Sequence, residues 1–456
     1  MSFTFLPAGD RIYYEIEGRN YLFDGSTGML EYDVPCGKQI GEEGTQNPPD
    51  IRRLDPDSPP VKIAPANFQP ALFSVFVSST CNLNCSYCFN QGGTMGMKDR
   101  VMDRRTARDV MRFLKNHIIR AKNKHTVIRL FGGEPMLNRV VLLEIFEAVR
   151  GWKNETMPLF RIALATNGTI HDQEVLECVK ELRDNISVEI SLDGGPEHHN
   201  AHRRFKNGVG SWQLAYDFTQ TLRQEGITFA IAAVIPYPYD YKEIAEELTA
   251  FGFDGFDIKD LVPHCMGGTI KTDVFRCDET LWRSKYIEYN KYCLDRVRYQ
   301  NKELTSDRRV MLSAYKSSYR HLSKFACGAG RLRASIDTNG YIYPCEAFMR
   351  SDFILGDARN GWNSEGLAVF ADLLNQKGSI ITSRRECRSC FAKHLCRGGC
   401  YGLNWEKSGK IDEIRTERCE HIREKTKIDL FFLSELKRLK SEPHSEPSSA
   451  ESGITG

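Results

Sequence analysis

Between residues 71 and 305, short apolar segments alternate with longer amphipathic ones, and this alternation constrains the fold more than any other feature. Six segments rich in Val, Ile and Ala predict strands: LFSVFVSS (72–79), TVIRLFG (126–132), FRIALATN (160–167), SVEISLD (187–193), FAIAAVI (229–235) and FDIKDLV (256–262). Helices are predicted between them, over 103–121, 138–153, 172–184, 211–226 and 241–251. Short, continuously apolar strands are typical of a parallel sheet covered on both faces. Six βα units in a row predict an α/β barrel or partial barrel.

Distinctive segments stand at the ends of four predicted strands. CNLNCSYC follows the first strand, GGEP the second and TNG the third, and SLDGG closes the fourth. In a barrel of this class, functional residues lie in loops at the C-terminal ends of the strands. A doubly wound sheet is the alternative fold. It usually binds phosphates through a glycine-rich first turn, whereas the first turn here is rich in cysteine.

The chain has 15 cysteines among 456 residues, and they are unevenly placed. Three lie within 81–88, seven lie between Cys327 and Cys419, and the other five are scattered. The first residues, MSFTFLPAGDRIYY, lack the apolar core of a secretory signal, which predicts a cytoplasmic protein. In that reducing compartment disulfides are a poor explanation for so many cysteines, and metal ligation is a better one.

Composition bears on the classes of partner. The 62 basic and 60 acidic residues leave a net charge of +2, which predicts neither a nucleic-acid nor a membrane partner. No apolar run approaches the roughly 20 residues that a membrane span needs. Hydrophobic residues make up 41% of the chain, enough for a sizeable core in one large α/β domain with appendages.

The regions outside the alternating segment differ from it in composition. Two strand-like stretches near the N-terminus, RIYYEIEG and NYLFDGS, predict a hairpin. A Pro-rich, charged segment then predicts a linker, and a helix is predicted from residue 422 onwards. The predicted organisation is a hairpin region (1–45), a linker (46–70), a partial barrel (71–305), a cysteine-rich domain ending in the helix (306–440) and a polar, disordered tail (441–456).

Cys81, Cys85 and Cys88 provide three thiols on one loop without a fourth nearby. Structural zinc uses four ligands in tetrahedral geometry, usually as two short-spaced pairs. Three thiolates satisfy three corners of a cuboidal 4Fe–4S cluster and leave one iron free to bind an external chelate. Cysteine also permits zinc, so the three thiols by themselves leave both metals open.

The C-x3-C-x2-C spacing after the first predicted strand resembles the signature of radical S-adenosylmethionine (SAM) enzymes, and the aromatic Tyr87 stands before the last cysteine as is usual there. The resemblance covers about 72–262. Three further motifs fall on the next strand ends in the order of that family: FGGEP (131–135), ATNGT (165–169) and SLDG (191–194).

The segment HNAHRRFKNGVGS (199–211) also resembles that family, in the stretch whose arginine contacts the SAM carboxylate. Arg203 is the expected arginine, and Arg204 is adjacent to it. The resemblance implies a radical SAM (β/α)6 partial TIM barrel. It further implies that Cys81, Cys85 and Cys88 hold a 4Fe–4S cluster. The implied SAM-binding residues are Tyr87, Gly132, Gly133, Glu134, Pro135, Asn167, Ser191, Asp193 and Arg203.

The chemistry that this resemblance implies is radical chemistry. The open iron would chelate the amino and carboxylate groups of SAM. One electron from the reduced cluster would then cleave SAM to methionine and a 5′-deoxyadenosyl radical, which removes hydrogen from an inert C–H bond. The cofactors supply the reactivity, and the protein orients the partners and excludes solvent.

The C-terminal cysteines have their own spacing, Cys327-x17-Cys345 followed by C-x2-C-x5-C-x3-C-x18-C from Cys387 to Cys419, with Gly340 five residues before Cys345. This pattern resembles the SPASM extension of radical SAM enzymes that modify peptides and proteins. By resemblance, the seven divide between two auxiliary 4Fe–4S clusters. One set is Cys387, Cys390, Cys396 and Cys419, and the other is Cys327, Cys345 and Cys400. A zinc ribbon is the alternative for 387–400.

The second set departs from anaerobic sulfatase-maturing enzymes, which have another cysteine six residues before its first member. Here that position is His321. The fourth ligand is therefore an open position, His321, Cys265 or Cys277. An open iron would bind a substrate thiolate and hold it beside the radical. Glu346 follows Cys345 where sulfatase maturases have an acidic residue proposed as a base, so it is the expected catalytic residue.

These expectations lead to one principal hypothesis, a radical SAM maturase that forms a thioether in a precursor peptide. An electron donor such as flavodoxin or ferredoxin is the other expected partner. Strand addition to the N-terminal hairpin is a possible route for recruiting a leader peptide. The alternatives are formylglycine formation as in anaerobic sulfatase maturation, or another radical peptide modification such as C–C crosslinking. A zinc protein that binds nucleic acid or protein would explain the basic run RRECRSCFAKHLCRGG but not the barrel motifs.

Overall fold

In the computed structural model of the chain, the described residues are 4–8, 11–16, 19–24, 29–32, 62–88, 90, 100–121, 125–153, 155, 157–253, 255–261, 278–300, 304–305, 308–309, 311–312, 327–376, 381, 384–414 and 416–441. Cys36, Cys265, Cys277 and His321, the tail over 441–456 except its first residue, and most of the 46–70 linker lie outside them.

An antiparallel sheet occupies the N-terminal region, in the order β1-β2-β3-β4. Its strands are β1 (Thr4–Ala8), β2 (Arg11–Ile16), β3 (Arg19–Asp24) and β4 (Met29–Tyr32). The predicted hairpin is the β2–β3 pair, in which Tyr13 lies opposite Leu22. Phe23 is fully buried in the main core. This sheet therefore packs onto the rest of the protein.

Six parallel strands then form one continuous run, in the order in which they occur in the chain. They are β5 (Leu72–Ser78), β6 (Thr126–Gly132), β7 (Phe160–Thr166), β8 (Ile186–Ser191), β9 (Phe229–Ile235) and β10 (Phe256–Asp260). The predicted strands are confirmed, with β8 and β10 each ending two residues earlier than expected. The partial-barrel fold class is confirmed as well.

The helices between these strands cover the outer face of the sheet. They are α1 (Arg104–Arg120), α2 (Arg139–Lys153), α3 (Gln173–Glu181), α4 (Pro196–His202), α5 (Trp212–Gln224) and α6 (Tyr241–Ala250). The Asp103 carboxylate caps α1 by accepting a hydrogen bond from Thr106 N at 2.7 Å, and Asp172 caps α3 in the same way. The five predicted helices are present, whereas the short α4 was not predicted.

The cysteine-rich region continues the barrel sheet. Its strands are β11 (Arg333–Ile336), β12 (Tyr341–Tyr343), β13 (Gly356–Asp357) and β14 (Gly361–Trp362). Strand β11 pairs in parallel with β5, so the four strands extend the sheet beyond the first strand of the barrel. Backbone hydrogen bonding therefore joins the barrel and the cysteine-rich region.

The remaining helices are α7 (Glu279–Tyr299), α8 (Ser364–Asn375), α9 (Arg385–Arg388), α10 (Lys393–Cys396), α11 (Tyr401–Ser408) and α12 (Thr416–Ser441). Tyr286 on α7 donates a hydrogen bond to Asp429 on α12 at 2.7 Å. Helix α12 begins six residues before the predicted start. None of the helices within the described ranges is long and apolar enough to cross a membrane.

The last residues of the predicted linker pack against α8. Ile63 N donates to the Asn375 side chain at 2.7 Å, and that side chain donates back to Ile63 O at 2.8 Å. Phe68 is buried and contacts Phe370 edge to face. These contacts make the end of this segment part of the folded structure rather than a free spacer.

Candidate active site

The loop that carries Cys81, Cys85 and Cys88 leaves the C-terminal end of β5 and is anchored through its backbone. Asn84 N donates to Arg204 O at 2.8 Å, and Ser86 N donates to His202 O at 3.0 Å. Burial raises the pKa of the Cys81 thiol to about 12 and that of Cys85 to about 11. Bound iron would offset this effect, because a metal cation stabilises thiolates.

The glycines of GGEP let the end of β6 approach the end of β5. Gly132 has φ +135°, and a Cβ there would lie 1.9 Å from the carbonyl oxygen of Ser78. Gly133 N donates to that same oxygen at 2.8 Å, and Glu134 N donates to Thr80 O at 2.9 Å. These bonds hold the GGEP backbone beside the cysteine loop, and Pro135 opens a buried turn directly after it.

The Glu134 carboxylate is turned into the protein and links two strand ends. It accepts hydrogen bonds from Met136 N at 2.9 Å, Thr166 Oγ1 at 2.7 Å and Asn167 N at 2.7 Å. Burial raises its pKa to about 7. These bonds use its side chain internally, so any contact with SAM at this position would come from the backbone.

Asn167 connects the third strand end to the cysteine loop. Its amide nitrogen donates to the Asn82 side chain at 2.9 Å and approaches Cys81 Sγ at 3.8 Å. The Asn82 side chain in turn donates to Thr169 Oγ1 at 2.8 Å. Ser191, at the end of β8, is half-buried and pairs in register with Ala232 of β9. The structure therefore brings the first three motifs into direct contact.

Asp193, Arg203 and Tyr87 form a buried cluster under the loop. Arg203 donates to the Asp193 carboxylate from Nε at 2.7 Å and from Nη2 at 3.2 Å, and Tyr87 Oη also donates to it. The guanidinium carbon of Arg203 lies 5.3 Å from the centre of the Tyr87 ring. The positive charge of Arg203 also favours the ionised form of the Cys85 thiol. Arg204 is directed outward to Gly208 O. Of the two arginines, Arg203 is the one that belongs to the site.

Asn90 belongs to this site and was missed in the sequence. It is 5% exposed, and its Nδ2 donates to Gly132 O at 3.0 Å. That contact with a carbonyl fixes the orientation of the amide, and its Oδ1 is buried without a hydrogen-bond partner. A buried acceptor without a partner needs an N–H donor, and the amino groups of SAM are such donors. Together with three thiols on the adjacent loop, this feature fits a site for a cluster and SAM.

Polar side chains from several strands share the inner face of the barrel. Ser74 Oγ on β5 donates to the Glu346 carboxylate, and Ser74 pairs with Arg129 on β6. Arg129 Nη2 lies 2.6 Å from Glu189 Oε1 on β8, and Lys259 Nζ on β10 lies 3.5 Å from the same oxygen. Arg129, Glu189 and Lys259 were not predicted, because inside apolar strands a single charge is a weak signal. Glu346, a predicted site residue, thus reaches the barrel interior.

The C-terminal cysteines occupy two places. Cys387, Cys390, Cys396 and Cys419 line one cavity, together with Arg418. The pKa of Cys327 is raised by burial and then by the nearby Cys400 thiol. The pKa of Cys345 is raised by burial and then by Glu346, Cys400 and Cys327. These are the two sets into which the resemblance divides them. Their role as cluster ligands stays a prediction.

Among the described residues, no three Cys, His, Asp or Glu side chains converge closely enough to hold a single metal ion. A cuboidal cluster spreads its ligands more widely, because each thiolate binds its own iron. The four thiols around one cavity fit such a cluster as a donor set.

Residues 75–249 match the Radical SAM superfamily. The match contains Cys81, Cys85 and Cys88 and runs from β5 to α6, so the barrel is a radical SAM domain.

Three relatives extend this similarity. Protein MJ0907 of Methanocaldococcus jannaschii is 32% identical over 192 residues, which cover 41% of this chain and 61% of that protein, less than two thirds of its length. A cysteine-type anaerobic sulfatase-maturating enzyme of Clostridium perfringens is 21% identical over 71% of this chain and 86% of its own. The radical SAM cyclopropyl synthase TigE of Paramaledivibacter caminithermalis is 23% identical over 75% of this chain and 70% of its own.

Two solved structures share the fold. The structure of anSMEcpe with bound AdoMet superposes with a TM-score of 0.65 at 18% identity, covering 81% of this chain and 99% of that one. Streptococcus suis SuiB bound to precursor peptide SuiA gives a TM-score of 0.56 at 21% identity, covering 76% of this chain and 75% of that one. At these identities the likeness concerns the fold alone.

Proposed function

We propose that this protein is a radical SAM enzyme that cleaves SAM reductively and forms a thioether crosslink in a ribosomally made precursor peptide. The observation that carries the proposal is the position of Glu346. This residue follows Cys345, a member of the three-cysteine set, and its carboxylate accepts a hydrogen bond from Ser74 inside the barrel. A base and an incomplete ligand set for iron would therefore serve the same chamber.

The residues of the site have distinct parts in this proposal. Cys81, Cys85 and Cys88 would hold the cluster that binds SAM, and the cluster and SAM together supply the radical that removes a hydrogen atom from the substrate. Arg203, held by Asp193, would orient the carboxylate of SAM. Other polar groups of the site would fix the rest of the molecule, namely Asn90, Asn167 and the GGEP backbone.

A cysteine-containing peptide is the substrate that this geometry favours. Thiolates bind iron well, and an iron held by Cys327, Cys345 and Cys400 alone would have a position for a substrate thiolate. Glu346 would take the proton from that thiol, and the auxiliary cluster held by the three cysteines would supply an acceptor for the one electron released as the C–S bond forms. The SuiB structure, which contains a precursor peptide, supports a peptide substrate.

Formylglycine formation is the second candidate. The extended similarity to a cysteine-type anaerobic sulfatase-maturating enzyme favours it. The departure at His321, where those enzymes have a cysteine, counts against it.

The test is anaerobic incubation of the reconstituted enzyme with SAM, dithionite and cysteine-containing peptides encoded nearby, followed by mass spectrometry. We expect 5′-deoxyadenosine and a peptide that has lost two hydrogen atoms while retaining its sulfur. A peptide that has lost its sulfur would instead establish formylglycine formation. Absence of 5′-deoxyadenosine with every peptide, in protein with full iron content, would overturn the radical SAM assignment of the loop.

Replacing Glu346 with Gln is expected to slow peptide turnover by about 100-fold, because the amide cannot accept the proton. The affinity for SAM should be unchanged, since Glu346 approaches Ser74 rather than the cysteine loop. Glu365→Gln, an exposed change in the first turn of α8, is the matched control. Unchanged turnover in the Glu346 variant would return this residue to a structural role.

Anaerobically prepared protein is expected to contain about 12 irons, four for each of three clusters. A double variant, Cys387→Ala with Cys390→Ala, should lower the iron content by about four, because it leaves two thiols in the cavity, fewer than the three that an open-iron 4Fe–4S cluster uses. Iron and zinc are counted by elemental analysis. About four irons with stoichiometric zinc would contradict the presence of two auxiliary clusters.

A further inference from the structure

Arg418 lines the four-cysteine cavity and is left without partners there. It lies in the first turn of α12, directly before Cys419, and lines the cavity with Cys387, Cys390 and Cys396. Its Nε and Nη1 atoms are buried and make no hydrogen bond. Throughout the described part of the chain, no carboxylate forms an ion pair with it.

This placement is unfavourable for an arginine in two respects. Two buried guanidinium nitrogens without partners cost free energy, because they lose water without gaining other hydrogen bonds. The first turn of a helix is also the positive end of the helix dipole, which disfavours a cation. Both costs would be offset by an anionic group in the cavity.

Arg384 shows how a neighbouring arginine is satisfied. Its Nη1 donates to Gly398 O at 2.6 Å and its Nη2 donates to Ile411 O at 3.2 Å. Glu386 also lines the cavity, but it is exposed to solvent. Besides Glu386, the groups of this cavity that can carry a negative charge near Arg418 are the cysteine sulfurs.

Neutral thiols would not provide this charge, whereas thiolates on iron would. Four thiolates on a 4Fe–4S cluster give the site a net negative charge in both redox states, and reduction adds one more. Burial raises the pKa of Cys396 and Cys419, whereas Arg418 lowers that of Cys396, and Arg423, which lines the same cavity, lowers that of Cys419 more than Arg418 does. A fixed cation beside such a site stabilises the more negative, reduced state.

We propose that Arg418 raises the reduction potential of the cluster held by Cys387, Cys390, Cys396 and Cys419, and so makes this site an electron acceptor. The inference rests on the auxiliary cluster of the proposed function. The redox step is the transfer of one electron from an external reductant, a flavodoxin- or ferredoxin-type carrier in the cell and a mediator dye in a titration. No covalent bond changes, and Arg418 keeps its proton.

The test is a redox titration of the full-length, anaerobically reconstituted protein, followed by electron paramagnetic resonance. The signal of interest is the component that the double variant Cys387→Ala/Cys390→Ala removes. Arg418→Met is expected to shift its one-electron equilibrium toward the oxidised state by about tenfold, or about 59 mV. Arg418→Lys should retain most of the wild-type potential. Arg388→Met is the matched control, because it removes an exposed charge from α9 and should leave the potential unchanged.

The outcomes separate the two proposals. Full iron content with a wild-type potential in Arg418→Met would overturn the role of Arg418 and leave the cluster in place. Equal iron content in the wild type and in the double variant Cys387→Ala/Cys390→Ala would instead overturn the auxiliary cluster. If Arg418→Met does not fold, Arg418→Gln replaces it with the same expected direction.

Discussion

A Cys85→Ala variant is expected to lose all reductive cleavage of SAM. A cluster held by two of the three loop thiols would lack the geometry in which one iron is open and three are ligated. The protein should still fold, because the loop is held by backbone bonds from Asn84 and Ser86 that do not use the Cys85 side chain. The iron–sulfur absorbance of the C-terminal clusters should also remain.

The measurement is production of 5′-deoxyadenosine under anaerobic conditions with dithionite. Cys178→Ala is the matched control, because it removes a half-buried thiol from α3, outside the site. It should cleave SAM at the wild-type rate. Retained cleavage in Cys85→Ala would show that this thiol is not a ligand, and the assignment of the loop would fail with it.

An Asp193→Asn variant is expected to lose about 3–5 kcal/mol of the free energy of unfolding, because it leaves Arg203 as a buried charge without its counterion. Asp193 is 1% exposed and accepts hydrogen bonds from Arg203, from Tyr87 Oη and from Val234 N at 2.9 Å. The side-chain amide of the asparagine would also direct its own N–H groups toward the N–H and O–H groups that donate to the carboxylate. The loss is measured by urea denaturation at neutral pH under anaerobic conditions, with the exposed change Asp184→Asn as control.

The pH dependence of the free energy of unfolding gives a second measure of the coupling between Asp193 and Arg203. Burial alone would raise the pKa of Asp193, but the Arg203 guanidinium lowers it below the ordinary aspartate value. The contribution of the pair to the free energy of unfolding is therefore complete at pH values above the ordinary aspartate pKa. It is lost as the pH falls through the lower pKa that Asp193 has in the folded protein. Asp193→Asn should lack this part of the acid dependence. A loss below about 1 kcal/mol would contradict a strongly coupled buried pair.

Local patterns predicted the barrel because each of its strands is apolar along its length and bounded by turn residues. The same approach missed α7, whose buried face carries Trp282, Tyr286, Tyr289 and Asn290 rather than an aliphatic stripe. It also missed α4, which has only seven residues. Propensity and periodicity are weak over short segments and over faces that mix aromatic with polar residues.

The candidate site divides in a similar way. The cysteine loop and the motifs at the next strand ends could be found because their residues are close in sequence. Asn90 could be suspected only from its position two residues after Cys88, and its role depends on Gly132, which is distant in the chain. The pairing of Asp193 with Arg203 required the turn of α4 between them.

The sequence by itself determined the parallel α/β barrel, the three-thiol loop at the end of its first strand and the cysteine-rich region that follows the barrel, because these depend on local periodicity and short spacings. Only the tertiary structure decided that β11 extends the barrel sheet beside β5, that Glu346 meets Ser74 inside the barrel and that Arg418 lines a cavity with four cysteines. Each of these joins residues far apart in the chain, and such contacts form only when the whole core packs.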